Sequence, residues 1–137
     1  MFVTCYWDTS ALINAMVNPG VMARLQTDGG VTRPHALAEF FGQMTGPGIP
    51  TGKTRQRLTG NMAAAWLSEA GKFLDWVELD GPEVLAALAH AQAQNVQGGR
   101  VHDFLHAKAA VKAKADKILT RDAGFASLGT GIPCENP

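Results

Sequence analysis

The sequence predicts an α/β fold in which a parallel sheet of four to five strands is covered by helices on both faces. Short apolar stretches rich in β-branched and aromatic residues alternate with longer segments of helical periodicity. Strands that alternate with helices are joined by right-handed crossovers, which make the sheet parallel. A length of 137 residues and an apolar content of 46% suit one domain, so we expect residues 1–137 to form a single domain.

Five stretches of the chain are predicted to be strands. They cover residues 2–7, 31–33, 76–79 and 117–120, with a last edge strand at residues 132–134. The first predicted helix begins near residue 11. Four more cover residues 34–44, 55–73, 81–94 and 101–115, and a short last helix covers residues 121–128. Residues 46–52 are predicted to be a loop, because their glycines and prolines interrupt regular structure.

Composition excludes some classes of protein without identifying a partner. The 12 basic and 12 acidic side chains cancel, so only local clusters can indicate nucleic-acid binding. No stretch has the ~20 apolar residues of a membrane span, and no secretory signal is visible, so we expect a soluble cytoplasmic protein without membrane contact. Cys5 and Cys134 are too few for a disulfide scaffold, and we expect both to be buried free thiols.

Acidic side chains occur at positions that share one edge of the predicted sheet. Asp8 directly follows the first strand, and Asp122 follows the strand at residues 117–120. Asp103 lies in the first turn of the helix after the glycine turn at residues 98–99, and Glu39 lies in the helix after the second strand. Each acid alone is equally explained as a helix cap, a first-turn acid or a solvated side chain. Because the carboxyl ends of parallel strands meet at one edge, we expect all of them to reach one crevice.

Clustered carboxylates point to a divalent cation. They repel one another and take up protons unless a cation lies between them. An all-oxygen ligand set favours Mg²⁺ or Mn²⁺ over zinc, and the matching chemistry is phosphodiester hydrolysis. Ser10 and Thr120 can support such a site by hydrogen bonds to the carboxylates, although capping or turn formation explains these hydroxyls equally well.

The acids stand in four short motifs. These are Trp-Asp-Thr-Ser-Ala-Leu at residues 7–12, Ala-Glu-Phe at 38–40, Arg-Val-His-Asp-Phe-Leu-His-Ala at 100–107 and Ile-Leu-Thr-Arg-Asp-Ala-Gly-Phe at 118–125. In order and separation they resemble the acidic motifs of the PIN-domain family, particularly the VapC-type toxins of bacterial toxin–antitoxin pairs. The resemblance covers nearly the whole chain and implies one PIN-like domain, residues 1–137, with a three-layer α/β/α sandwich.

The resemblance also implies an activity and partners. It implies an endoribonuclease that depends on Mg²⁺ or Mn²⁺, forms a homodimer and is inhibited by a small VapB-like antitoxin. By analogy with the family, Asp8 and Asp103 are the principal metal ligands. Glu39 and Asp122 then complete the catalytic site, partly through water, with Asp122 as a further metal ligand.

A second hypothesis is a zinc-dependent hydrolase. His102 and His106 lie four residues apart on one helical face, the spacing of a zinc-protease helix. Asp103 stands where that motif has glutamate, and neither His35 nor His90 lies downstream to serve as the third ligand. A third hypothesis is a non-catalytic binding module that retains the four acids.

A basic cluster lies next to the predicted loop. Lys53, Arg55 and Arg57 can contact RNA phosphates, an interaction that is independent of sequence and sensitive to salt. A solvated helix start explains the same residues equally well. No base-reading pattern is visible, so the sequence does not indicate which RNA is cut.

Overall fold

Seven short strands and six α-helices occupy the part of the chain that a computed structural model describes, residues 3–123 and 128–137. The strands are β1 (Cys5–Trp7), β2 (Gly30–Thr32), β3 (Ile49–Thr51), β4 (Thr54–Gln56), β5 (Leu74–Trp76), β6 (Lys117–Leu119) and β7 (Cys134–Glu135). The helices are α1 (Thr9–Val17), α2 (Pro19–Asp28), α3 (Pro34–Thr45), α4 (Gly60–Gly71), α5 (Gly81–Ala89) and α6 (Arg100–Lys112).

The central sheet has five parallel strands in the order β5-β2-β1-β6-β7, which confirms the predicted fold class. From β1 the chain builds outwards through β2 to β5, and it then crosses back to place β6 on the other side of β1. The strand order therefore reverses between β1 and β6. In an open parallel sheet, such a reversal creates a crevice beyond the carboxyl ends of the two strands.

Alternating side chains of β1 separate the two faces of the sheet. Cys5 and Trp7 belong to a core that also contains buried residues of α1, α2, α3 and α4. Tyr6, between them, points to the opposite core, where Ala107 and Ala110 of α6 pack against the sheet. This period of two is the geometry of an extended strand, and it yields the three layers of an α/β/α sandwich.

Residues 49–56 differ most from the prediction. The sequence predicted a loop to residue 52 and a helix from residue 55, whereas β3 and β4 form an antiparallel hairpin. Gly52 begins the two-residue turn with φ +65°, a backbone conformation that glycine adopts without strain. The helix starts only at Gly60, where the Thr59 hydroxyl accepts a hydrogen bond from the Met62 amide.

Several other boundaries were wrong by a few residues. β5 lies at Leu74–Trp76, earlier than predicted, because Leu74 fills the core whereas Trp76 is half exposed. The helix predicted to begin near residue 11 begins at Thr9 as α1, and a second helix that the sequence did not indicate follows, with Asn18 as its cap and Pro19 as its first residue. α5 ends at Ala89 and is followed by a short 3₁₀-helix, Gln92–Gln94. Of the predicted helix 121–128, residues 121–123 are not helical and residues 124–127 lie outside the described residues.

Two further expectations can be compared with the structure. Both cysteines are free, but only Cys5 is fully buried, whereas Cys134 on the edge strand β7 is partly exposed. The expectation of two buried thiols is therefore wrong for Cys134. Across residues 3–123 and 128–137, none of the helices combines the length and apolar character needed to cross a bilayer.

Candidate active site

A crevice of about 900 Å³ opens beyond the carboxyl ends of β1 and β6, at the reversal of strand order. The structure brings together in its wall all of the acids and hydroxyls singled out from the sequence, namely Asp8, Glu39, Asp103, Asp122, Ser10 and Thr120. They come from four separate segments of the chain. The crevice is therefore the candidate active site.

Asp8 is the most constrained of these acids. It leaves the buried strand β1 and remains only 7% exposed, while its backbone amide donates to the Leu119 carbonyl at 3.2 Å. Its Oδ1 accepts hydrogen bonds from the Ala11 amide and the Ser10 hydroxyl, each at 2.8 Å. Asp8 thus caps α1 as predicted. Both of these hydrogen bonds use Oδ1, so Oδ2 is the oxygen that can serve a ligand.

Asp103, in the first turn of α6, is the acid of this cluster whose ionised form is disfavoured by its surroundings. Desolvation of its carboxyl raises its pKa above the usual value, and the negative charges of Asp8, Asp122 and Glu39 raise it further. His106 acts in the opposite direction. Like charges therefore accumulate around Asp103, and a bound cation would remove that cost. This chemistry fits a divalent metal ligated by carboxylate oxygens.

Glu39 is stabilised in its ionised form by a partly buried network. Its Oε1 accepts hydrogen bonds from the Thr9 hydroxyl at 3.0 Å and from Nε2 of His106 at 2.9 Å. Burial alone would raise the pKa of Glu39, but the hydrogen bond and charge of His106, with the Thr9 hydroxyl, lower it to about 2. Glu39 is consequently ionised at neutral pH.

Tyr6 orients His106 from the sheet side of this network. The Tyr6 hydroxyl lies 2.7 Å from Nδ1 of His106, and both residues are buried. Burial raises the pKa of Tyr6, so its phenol stays protonated. When His106 is neutral, the tautomer that satisfies every group has Tyr6 donating to Nδ1 and His106 donating from Nε2 to Glu39; when His106 is protonated, Nδ1 donates to the Tyr6 oxygen instead and the bond to Glu39 is charged. The sequence left the place of His106 open, and it did not reveal Tyr6.

Ser10 and Thr120 join the two loops that bear the aspartates. The Ser10 hydroxyl donates to Asp8 and accepts from the Arg121 amide at 3.0 Å. Its oxygen lies 3.3 Å from the Thr120 hydroxyl, which accepts from the Asp122 amide at 3.2 Å. These contacts fit the supporting role predicted for both hydroxyls, because they fix Asp8 and Asp122 relative to each other.

The β3–β4 hairpin flanks the crevice and carries the basic cluster. Ile49 of β3 lines the crevice, and Lys53, Arg55 and Arg57 are all exposed. The Arg55 guanidinium donates to the carbonyl of Pro47 at 2.6 Å and to that of Gly48 at 3.0 Å. Arg57 donates to the Gly46 carbonyl at 2.7 Å. Two of the three cations therefore also stabilise the base of the hairpin, which was not foreseen.

Three further crevice residues were missed in the sequence. Thr9 supports Glu39, and the Arg121 side chain is a cation on the rim of the acidic crevice. Asn14 is buried and faces the crevice one helical turn after Ser10. The spacing of Ser10 and Asn14 along α1 could have indicated a shared polar face, but residues 9–17 are otherwise mostly apolar.

His102 and His106 have different surroundings. Both ring nitrogens of His106 are within hydrogen-bond distance of protein groups in the interior. His102 is exposed and stacks on His35, with ring centroids 6.2 Å apart and planes inclined by 13°. His102 thus has another histidine as its neighbour. The search for a third ligand downstream in the sequence missed His35, which reaches His102 from α3.

A scan against models of known protein families and a search of curated proteins both find no match for this chain. The resemblance to PIN-domain proteins therefore rests on the four short motifs and is not supported by a matching family model or relative. What supports a function is the crevice itself, with its acidic lining and its supporting hydroxyls.

Proposed function

We propose that the chain is a Mg²⁺- or Mn²⁺-dependent endoribonuclease that hydrolyses RNA phosphodiester bonds. The observation that carries the proposal is the convergence of Asp8, Glu39, Asp103 and Asp122 on one crevice at the strand-order reversal. We propose further that it acts in the cytoplasm as the homodimeric toxin of a VapBC-type pair, inhibited by a VapB-like antitoxin. That part rests on the resemblance of the motifs alone.

In this proposal, Asp8, Asp103 and Asp122 hold the metal through carboxylate oxygens. A bound metal would act as a Lewis acid that activates water and neutralises the charge of the scissile phosphate. Asp8 is prepared for this role because its Oδ1 is fixed by Ala11 and Ser10. Asp103 is prepared because its raised pKa reflects negative charges that a cation would neutralise.

Glu39 has a different task. A carboxylate with a pKa near 2 is a weak base, so we infer that it does not remove a proton from water. Instead, it accepts a hydrogen bond from water and orients that water towards the phosphate. The contacts from Thr9 and His106 hold the carboxylate in place for this purpose.

The substrate is proposed from charge as well as from the resemblance. An acidic crevice repels a polyanion unless a metal is bound and cations lie nearby. Arg121 lies on the rim, and Lys53 is exposed on the hairpin beside it. These side chains can contact phosphates without reading bases, which suits an interaction with the RNA backbone.

Metal dependence tests the proposal against both rivals. Purified protein should cleave RNA with Mg²⁺ or Mn²⁺ and lose activity in excess chelator. Asp103→Asn should abolish cleavage, whereas the matched control Asp75→Asn, on the exposed part of β5, should not change it. Cleavage that persists in chelator would overturn the proposal. Hydrolysis that requires Zn²⁺ would favour the zinc hydrolase, and no activity with any metal would favour the binding module.

A further inference from the structure

A second group of ligands shares only Glu39 with the hydrogen-bonded network of the crevice. His35, Glu39 and His102 each offer one ligand atom, and these atoms lie within 4.8 Å of one another. His35 and His102 are exposed, whereas Glu39 is partly buried. We propose that these three residues form a binding site for a borderline transition-metal ion such as Zn²⁺, distinct from the all-carboxylate site.

The fold explains why residues so distant in sequence meet here. α3 follows β2 and α6 precedes β6, so in a parallel sheet both helices begin at the carboxyl edge. His35 and His102 lie in the first turns of these two helices. Glu39 stands four residues after His35, on the same face of α3. The site is therefore assembled by rigid elements.

The free atoms of the three side chains suit ligation. Among the described residues, neither the His35 nor the His102 imidazole takes part in a hydrogen bond, so their nitrogens remain available. Both hydrogen bonds accepted by the Glu39 carboxylate fall on Oε1, and Oε2 can therefore bind a metal. The second oxygen allows Glu39 to keep its contacts with Thr9 and His106 while it acts as a ligand.

The ligand types select the class of ion. Imidazole nitrogen suits zinc and its neighbours in the first transition row, whereas Mg²⁺ prefers oxygen. Two histidines and one carboxylate are a common zinc set, and they leave a position for water. Zinc–ligand distances of about 2.0–2.2 Å bring ligand atoms within roughly 4 Å of one another. The three atoms lie within 4.8 Å of one another, so binding requires them to approach by up to about 1 Å, and the two histidines that would move are exposed.

The geometry also separates this site from the histidine pair indicated by the sequence. His106 has both ring nitrogens within hydrogen-bond distance of Tyr6 and Glu39 in the interior. Using it as a zinc ligand would cost those contacts. His35 requires no such loss, and it replaces His106 as the partner of His102.

Calorimetric titration with Zn²⁺, in excess Mg²⁺ to occupy the carboxylate site, tests the proposal on the full chain. We expect one Zn²⁺ per chain. His35→Ala and His102→Ala should each weaken binding by about 100-fold or more, because losing even a supporting group costs roughly 10- to 100-fold. His90→Ala is the matched control, since His90 is exposed at the end of α5 and should leave binding unchanged.

Thermal melts check the same site independently. Zn²⁺ should raise the melting temperature of the wild type but not of His35→Ala or His102→Ala. Melts in chelator establish that each variant folds, and His35→Gln and His102→Gln provide second substitutions. Absent Zn²⁺ binding, wild-type affinity in either histidine variant, or an equal loss in His90→Ala would overturn the proposal. Binding is measured without RNA, so a failure of the nuclease proposal would be seen separately.

Discussion

The two sides of the crevice are built differently. On the sheet side, Asp8 and Thr120 are buried, and Ser10 links the loops that follow β1 and β6. On the other side, the β3–β4 hairpin is exposed along nearly its whole length, and its basic side chains contact mainly their own loop. The difference indicates that the sheet side fixes chemical groups in place, whereas the hairpin flanks the crevice with exposed basic side chains.

This comparison gives different expectations for substitutions on the two sides. A change on the sheet side alters a group whose position is fixed by several partners, so its effect on the site should be large. A change on the hairpin alters a side chain that solvent can partly replace, so its effect should be small.

Asp8→Asn should have the largest effect. Asparagine can still accept from Ala11 and cap α1, but it lacks the charge that binds a divalent ion. Cleavage with Mn²⁺ should fall by roughly 100-fold or more, beyond the cost of losing a supporting group. In chelator the variant should be at least as stable as the wild type, and the pKa of Asp103 should fall, because one repelling charge is gone.

Three measurements check this expectation, namely an RNA-cleavage assay, a thermal melt in chelator and an NMR titration of Asp103. Asp75→Asn, at an exposed position of β5, serves as the matched control. Wild-type cleavage by Asp8→Asn would remove Asp8 from the site. A loss of cleavage accompanied by unfolding would mean that the carboxylate is mainly structural.

Glu39→Gln should change how the free energy of unfolding depends on pH below 4.5. Folding lowers the pKa of Glu39 from 4.5 to about 2, so the ionised carboxylate stabilises the folded state above pH 4.5. That contribution, on the order of 3 kcal/mol, is lost as the pH falls from about 4.5 to about 2. The variant should lack this part of the acid dependence.

Urea denaturation at several pH values gives the free energy of unfolding at each pH. The effect is the difference between the two proteins in the slope of that free energy against pH. Glu69→Gln on the exposed face of α4 is the control, and it should retain the wild-type slope. Equal slopes for the wild type and Glu39→Gln would show that the network around His106 does not stabilise the ionised form.

Substitutions in the hairpin should have the smallest effects. They should distinguish a cation that only contacts RNA from cations that also stabilise the hairpin. Lys53→Ala should lower the dependence of log affinity for RNA on log salt by about 0.7, the value for one phosphate contact with a single strand. Arg55→Ala and Arg57→Ala should also speed proteolysis at the base of the hairpin, because they remove the side-chain donors to the Pro47 and Gly46 carbonyls and one of the two to the Gly48 carbonyl.

RNA binding is best measured with the inactive Asp8→Asn protein at several salt concentrations. Lys72→Ala is a matched control, because Lys72 lies at the end of α4 and pairs with Glu69. An unchanged salt dependence of RNA affinity in all three hairpin variants would show that these cations do not contact RNA.

The two sides of the crevice also differ in how well the sequence predicted them. Asp8 was placed correctly because a buried strand, an acid and a helix start form a local pattern. The hairpin was missed because residues 53–57 are polar and fit a helix start as well as a strand. The choice there depends on the turn at Gly52 and on the close approach of Gly48 to the Gln56 carbonyl.

By itself, the sequence determined the parallel α/β architecture and the edge of the sheet where the acids meet. It could do so because strand burial and helix periodicity are local, and the carboxyl ends of parallel strands coincide. Only the tertiary structure decided which side chains act on those acids. The contact of Tyr6 with His106 spans 100 residues, and that of His106 with Glu39 spans 67. Such contacts, like the meeting of His35 and His102, depend on how helices from opposite faces of the sheet converge at its edge, which no local pattern encodes.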